Sequence, residues 1–318
     1  PLPVATGRRA IITGAAGFIA SHVADAFIEA GHEVVIVDNF RTGYPKNLNP
    51  KARFYELDIC DPRLEDVFAR EKPDLVDHHA AQISVPLSVE DPLTDAEINV
   101  KGLINILENC VKYQVKKVIY ISSGGAMYGE ATEYPTSETY NPKPLSVYAI
   151  NKMVGEDYLY FYRHTYGLDY TVLRYANVFG PRQVSHGEAG VVSIFVEKLL
   201  AGETPTLNAY PEEPNGMIRD YVYVKDVVRA NLAALDQGSG EAFNIGTCIE
   251  TSTRALYDEI CRQMGTRIEP NKGTARKGDL HRSLLKIDKA KKVLGWTPRY
   301  TLAEGISEVI QYFMQQER

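Results

Sequence analysis

Residues 9–20 read RAIITGAAGFIA. Arg9 to Thr13 is a short aliphatic run, the pattern of a strand buried on both faces. Gly14 to Gly17 interrupts it. From Phe18 to Ala30 apolar residues return at helical spacing, with Ile19, Val23, Phe27 and Ile28 on one side. Strand, glycine turn and helix in that order open an α/β sheet built from parallel strands.

The alternation continues outward. Strands are predicted at His32 to Val37, Arg53 to Leu57, Leu75 to His78, Lys117 to Ser122 and Tyr170 to Arg174. Helices are predicted at Asp61 to Arg70, Asp95 to Tyr113 and Val147 to Tyr166. This rhythm predicts a doubly wound parallel sheet of the Rossmann type. After about residue 176 it loosens, and prolines and glycines become frequent between Gly180 and Gly216. Short strands (Tyr221 to Val224, Ala242 to Ile245) alternate there with helices at Val191 to Ala201, Asp226 to Leu235, Thr253 to Met264 and from Leu302 onward. The expectation is a sheet domain over 1–176 and a smaller, mixed α/β substrate lobe over 177–318. The boundary is soft, because such a lobe can return a strand to the sheet.

At about 150 residues per domain, 318 residues make roughly two domains. An apolar fraction of 44% and a charged fraction of 24% exclude disordered, collagen-like and coiled-coil chains. No run of about 18 apolar residues offers a membrane span, and Pro1 to Ala10 lacks the apolar core of a signal peptide. Cys60, Cys110, Cys248 and Cys261 are scattered, so the expectation is a reducing cytoplasm and no metal site. A net charge of −6 argues against a nucleic-acid or anionic-membrane partner. An anionic small ligand would need arginines placed locally.

The glycine turn carries chemistry. Gly14 permits the tight turn, and Gly17 lets backbone N–H groups approach a pyrophosphate at the helix N-terminus. Ala20 lets helix and strand pack closely. Asp38 ends the second strand, 21 residues after Gly17. A carboxylate there accepts hydrogen bonds from both adenosine ribose hydroxyls and repels a 2′-phosphate. Turn and acid together predict an NAD site. A second pattern is the pair Tyr148 and Lys152, four apart on a predicted helix and so on one face. Tyr113/Lys117 and Tyr221/Lys225 share that spacing, but the first straddles a helix end and a strand. The other lies along a strand, where four residues span about 13 Å. An ammonium beside a phenol lowers its pKa from about 10 toward working pH. Such a tyrosine can act as acid or base on a sugar hydroxyl while a nicotinamide takes hydride.

With these residues in view, the chain resembles the extended short-chain dehydrogenase/reductases that act on nucleotide sugars, the NAD-dependent epimerase/dehydratase family, and among them the UDP-glucose (UDP-galactose) 4-epimerases. The resemblance covers nearly the whole chain. It rests on TGAAGFIAS, VDNFRTG, LDICD, HHAAQISV, NVKGLINILE, SSGGAMYGE, YAINK, LRYANVFGPRQ, RDYVYVKDV, FNIGT, RKGD and LGWTP. It implies that NAD stays bound and is recycled, that Tyr148 handles the proton of the sugar 4-hydroxyl, and that Lys152 holds the nicotinamide ribose. It further implies that Gly14, Gly17, Phe18, Ile19, Asp38, Asn39, Asp58 and Ile59 meet the phosphates and adenosine. Ala80, Ala81, Gln82, Asn99 and Tyr175 would line the rest of the cofactor, and Asn177, Arg219 and Arg276 would hold the sugar diphosphate.

Two positions depart from that pattern or tune it. The relatives carry a Ser or Thr four residues before the tyrosine of the x-Y-G turn; here that tyrosine is Tyr128 and the slot is Gly124. Ser122 and Ser123 stand just before it, and either of them, a backbone N–H or a water can supply the hydrogen bond that hydroxyl would make. Strand alternation favours Ser123, since neighbours point to opposite faces. Gly125 and Ala126 stand where 4,6-dehydratases need an Asp-Glu pair and 3,5-epimerising relatives a cysteine. The wall of the sugar pocket falls at Ser283, where a small side chain leaves room for an N-acetyl group and predicts turnover of N-acetylhexosamines too. The alternatives are a 4-epimerase or reductase for another nucleotide sugar, such as a uronic acid or pentose, or a catalytically silent NAD-binding regulator. Tyr158, Tyr162 and Tyr166 line one face of the helix after Val147, with Tyr160 and Phe161 elsewhere on it. Together with the dimers of the resembling family, they lead to the expectation of a homodimer.

Overall fold

The computed structural model describes residues 7–185 and 190–317; the outer ends of the two expected domains, 1–6 and 318, lie outside them. In the first half of the chain run β1 (Arg9–Thr13), β2 (Glu33–Asp38), β3 (Arg53–Glu56), β4 (Leu75–His78), β5 (Lys117–Ser123) and β6 (Asp169–Tyr175). Short strands follow: β7 (Asn177–Phe179), β8 (Thr206–Ala209), β9 (Ile218–Arg219) and β10 (Tyr221–Tyr223), then β11 (Glu241–Ile245), β12 (Thr251–Ser252) and β13 (Asn271–Thr274). The main sheet is wholly parallel, in the order β11-β6-β5-β4-β1-β2-β3. The chain runs outward from β1 to β3, returns to β4 beside β1, and proceeds the other way. That reversal between β1 and β4 leaves a crevice at the carboxyl ends of the strands, the place where such sheets bind ligands.

The helices are α1 (Phe18–Glu29), α2 (Leu64–Glu71), α3 (Val85–Glu90), α4 (Pro92–Ala96), α5 (Gly102–Lys112), α6 (Gly124–Met127), α7 (Val147–Tyr166), α8 (Val191–Leu200), α9 (Val224–Ala234), α10 (Thr253–Met264) and α11 (Leu302–Gln316). Period-two alternation in the strands sorts the apolar residues onto two faces. Ile12, Ile36, Ile121 and Leu173 meet Val23 and Phe27 of α1 and Val227 of α9. Ile11, Val35, Val76, Val118 and Tyr120 meet Phe68 of α2, Leu103 and Leu107 of α5 and Leu159 of α7. A third core, with Phe195, Tyr223, Leu256, Tyr257 and Val309, belongs to the smaller lobe. No helix among the described residues is long and apolar enough to cross a membrane. All four cysteines are free.

Several boundaries differ from expectation for local reasons. The helix expected from Asp61 starts at Leu64, because the Asp61 carboxylate accepts the Arg63 N–H in a turn. The one expected over Asp95 to Tyr113 starts at Pro92, capped by the Asp91 side chain on Thr94 N–H. It passes through a π-helical turn, Glu97–Lys101, before becoming α5. Glu241–Ile245 pairs with β6 and α9 packs on α1, so both belong to the sheet layers although they fall within 177–318.

Candidate functional site

The glycine turn lies at the crevice. Gly14 has φ 76°, and a Cβ there would stand 2.8 Å from the Ala80 backbone nitrogen, so only glycine lets the β1 and β4 ends come this close. Ala80 is held there by its N–H, which donates to Thr13 Oγ1 at 3.0 Å. Gly17 is the N-cap of α1 and contributes no side-chain cap, so the first N–H groups of the helix remain open to an anion. Asp38 is buried; its carboxylate accepts Ala16 N–H at 3.0 Å and Phe40 N–H at 2.8 Å. Each oxygen keeps a second acceptor direction for a ribose hydroxyl. Asn39 donates to Asp58 at 3.1 Å, and Ile59 is buried beside it. Phe18 and Ile19 are half-buried at the start of α1. These residues fit the phosphates and adenosine of a dinucleotide.

Further along the strand ends, Gln82 and Asn99 clamp each other: Asn99 accepts Gln82 N–H at 2.8 Å and donates to Gln82 C=O at 3.0 Å. The π-helical turn carries Asn99 into this contact, a use typical of such insertions. Ala80 and Ala81 are half-buried between that clamp and the glycine turn.

Tyr148, Lys152 and Ser123 come together at the next strand ends. Ser146 caps α7 by accepting Ala149 N–H at 3.1 Å, and the Tyr148 N–H donates to Ser88 Oγ at 3.0 Å, which fixes the first turn. Lys152 Nζ lies 5.9 Å from the centre of the Tyr148 ring and donates to Ile121 C=O at 3.0 Å. The Ser123 hydroxyl stands beside the Tyr148 phenol and favours its ionised form. Ser122 is committed elsewhere: it donates at 2.8 Å to Glu156, which Arg174 grips at 2.6 Å. A Cβ on Gly124 would meet Leu285 at 2.7 Å and Arg174 C=O at 2.9 Å. A serine therefore does not fit in the slot where relatives carry the hydroxyl.

The electrostatics correct one expectation. Tyr148 is not brought toward neutral pH in this arrangement; burial, then the Asp95 carboxylate, push it up to about 12, and only the Ser123 hydroxyl pulls the other way. Lys152 is itself buried and falls to about 8 for the same reason, with Asp95 opposing. A charge hidden from water costs more than an ammonium nearly 6 Å from the ring returns. Asp95 is fully buried, accepts Asn151 at 2.6 Å and Gln82 at 2.9 Å, and was not anticipated. A signal existed: Asp95 and Asn99 stand four apart, on the stripe continued by Leu103, Ile106 and Cys110, where apolar residues belong.

The smaller lobe contributes the rest. Asn177 N–H donates to Asp220 C=O at 2.9 Å, and its side-chain oxygen lies over Gly125. The Arg219 guanidinium donates to Ile218 C=O at 3.0 Å. Arg276 begins a turn closed by its N–H on Asp279 at 3.0 Å and touched by the Tyr210 hydroxyl. Ser283 is buried and donates its N–H to Ile218 C=O at 3.0 Å, next to Arg219. Arg282 turns away, over the Tyr134 ring and onto Glu250. Tyr175 ends β6 in register with Ser123.

Residues 10–246 match the model of the NAD dependent epimerase/dehydratase family. A UDP-glucose 4-epimerase of Mycolicibacterium smegmatis is 45% identical over 311 residues, 96% of this chain and 98% of that one. The crystal structure of a UDP-glucose 4-epimerase from Thermotoga maritima with UDP-glucose superposes with a TM-score of 0.95 at 46% identity, covering 98% of this chain and 100% of the other. The UDP-glucose 4-epimerase of Thermus thermophilus in complex with NAD gives 0.90 at 41%, covering 96% and 99%.

Proposed function

The chain belongs to the NAD dependent epimerase/dehydratase family, and from that premise we propose that it inverts C4 of UDP-hexoses, interconverting UDP-glucose and UDP-galactose through a 4-keto intermediate. The observation that carries the reading is the joining of Ser123, Tyr148 and Lys152 at the end of a sheet whose glycine turn fits a dinucleotide. Gly14, Gly17, Asp38, Asp58, Ile59, Asn99, Lys152 and Tyr175 would hold the cofactor. Bound NAD supplies a reversible hydride acceptor at C4.

Tyr148 takes the proton of the 4-hydroxyl as the C4–H bond is broken, and returns it when hydride comes back to the other face. Proton and hydride both return, so the net change is an isomerisation. Ser123 has one proton to give: it goes to the phenolate before the transfer and to the carbonyl oxygen of the keto sugar after it. The protonated Lys152 supplies the positive charge that a phenolate needs in so dry a site. Asn177, Arg219 and Arg276 hold the diphosphate, which answers how an acidic protein binds an anion.

The small, buried Ser283 supports the further reading that N-acetylhexosamines are accepted as well. Free cysteines support a reducing, cytoplasmic setting. Tyr160, Phe161 and Tyr166, exposed by 69%, 49% and 52%, support a homodimer through α7. The test is direct. Denatured protein should release nicotinamide, and native protein should convert UDP-galactose to UDP-glucose without added cofactor. Tyr148→Phe should keep the nicotinamide and lose at least about 10²-fold in turnover. Unchanged turnover would remove Tyr148 from the proton's path.

A further inference from the structure

Beside the glycine turn, beneath the strand ends, lies a cluster that the reaction above does not use. Asp77 of β4 is fully buried, and neither of its carboxylate oxygens has a hydrogen-bond donor among the described residues. Its nearest polar neighbour is His79, whose Nδ1 stands 2.8 Å from Asp77 Oδ1, off the line of a good hydrogen bond. The other ring nitrogen, Nε2, is 2.9 Å from the Tyr175 hydroxyl. Asn231 of α9 donates to that same hydroxyl at 2.8 Å, and its own side-chain oxygen is buried without a partner. Among the described residues, three buried acceptor oxygens of this group thus lack a donor.

The hydrogen-bond pattern sets the charge. A phenol has one proton to give. With Asn231 donating to it, the Tyr175 hydroxyl gives its proton to His79 Nε2, which must be a bare lone pair. A carboxylate can only accept, so the single ring proton belongs on Nδ1, facing Asp77. The imidazole is then neutral and the cluster keeps the full negative charge of Asp77. A buried carboxylate that faces one neutral, poorly aligned N–H and no counter-ion among the described residues is costly, and such a group is retained where a positive charge will meet it.

The site around it indicates which charge. His79 leads directly into Ala80, against which Gly14 is packed. Tyr175 is level with Ser123, which holds Tyr148. The cluster therefore lies between the phosphate turn and the proton-handling group, where the nicotinamide end of the cofactor belongs. The oxidised ring is a cation and the reduced ring is neutral. We propose that Asp77, with His79, Tyr175 and Asn231 holding it uncompensated, is an electrostatic counter-group that biases the bound cofactor toward its oxidised form. This rests on the NAD reading above. Its use is to keep the hydride only briefly on the cofactor, so that the keto sugar is reduced again before it escapes.

The experiment compares affinities of the two cofactor forms in wild type, Asp77→Asn and Asp77→Leu, together with the midpoint potential of the bound couple followed by nicotinamide absorbance. Removing the charge should favour NADH over NAD by about tenfold, equivalent to a rise of about 30 mV for a two-electron couple. A packing defect would weaken both forms alike and leave their ratio unmoved, so an unmoved ratio, or one shifted toward NAD, overturns the assignment. Asp77→Leu removes the charge without leaving an unpaired buried amide, so it covers a failure of Asp77→Asn to fold. Failure of the cofactor reading itself would look different: wild-type protein would bind no nicotinamide at all.

Discussion

Replacing Lys152 by methionine should make the protein more stable while destroying its activity. Lys152 is 4% exposed, and burial lowers its pKa from 10.5 to about 8. At about 1.4 kcal/mol per pH unit, keeping the ammonium in the fold at pH 7 costs about 3 kcal/mol. Methionine fills the same stem volume without the charge. It also leaves Ile121 C=O without its 3.0 Å partner, a loss of about 1 kcal/mol. The net gain is then about 2 kcal/mol, or a few degrees in melting temperature for a chain of this size. The sign with pH follows from linkage. Below about pH 8 the folded and unfolded chains both carry the proton, and the full cost is present. Between about 8 and 10.5 the unfolded chain binds the proton and the folded chain does not, so wild-type stability rises with pH. Lys152→Met lacks that rise, and its advantage should shrink toward zero near pH 10. The assay is denaturant unfolding of nicotinamide-free wild type and variant from pH 6 to 10, beside turnover of UDP-galactose. A variant less stable than wild type at pH 7, or a gap that does not close with pH, would refute the reasoning.

Ser123→Ala should lower turnover by about 10²-fold to 10³-fold, the usual cost of losing a donor to the reacting oxygen. Ser122→Ala should leave turnover nearly intact and cost about 1 kcal/mol of stability through Glu156; steady-state kinetics and unfolding on both variants check the pair, and the reverse ranking would move the role to Ser122. Wild-type protein should bind NADP far more weakly than NAD, and Asp38→Ser should narrow the gap; equal affinities in wild type would contradict the ribose assignment. Ser283→Tyr should abolish turnover of UDP-N-acetylglucosamine while sparing UDP-glucose; an unchanged preference, measured with both sugar pairs, would show that Ser283 does not wall the pocket.

The sheet was readable because each strand announces itself locally. RAIIT, HEVVIV and KVIYIS are aliphatic runs bounded by turns, and α7 spans the expected Val147–Tyr166, bounded in the structure by a serine cap at one end and a glycine with φ 71° at the other. What escaped was too short or too dependent on tertiary contacts. The four residues of α6 carry no periodicity, and the two-residue strands β9 and β12 exist only because they pair with each other. The π turn at Glu97–Lys101 is likewise set by Asn99 reaching Gln82, a partner 17 residues away that no helical pattern announces.

The site shows the same division between what parity dictates and what burial dictates. That Ser122 and Ser123 would point different ways follows from strand alternation, and in the structure Ser122 meets Glu156 while Ser123 meets Tyr148, both residues of α7. Gly124 looked like a lost hydroxyl; with Leu285 and Arg174 C=O filling the space beside it, a serine there could not be accommodated, and the hydroxyl one residue earlier is the one in contact with the phenol. The sign of the Tyr148 shift was not accessible this way. The spacing of Tyr148 and Lys152 names the pair, but whether an ammonium wins over desolvation depends on how deeply α3, α4 and β5 enclose them, and on Asp95 arriving from α4. An empty site that holds the phenol near 12 and the ammonium near 8 keeps Tyr148 neutral at pH 7 while Lys152 stays largely charged. Such a site is primed to ionise when a positive ligand charge and a sugar hydroxyl enter together, so proton transfer is tied to occupancy rather than to solvent pH.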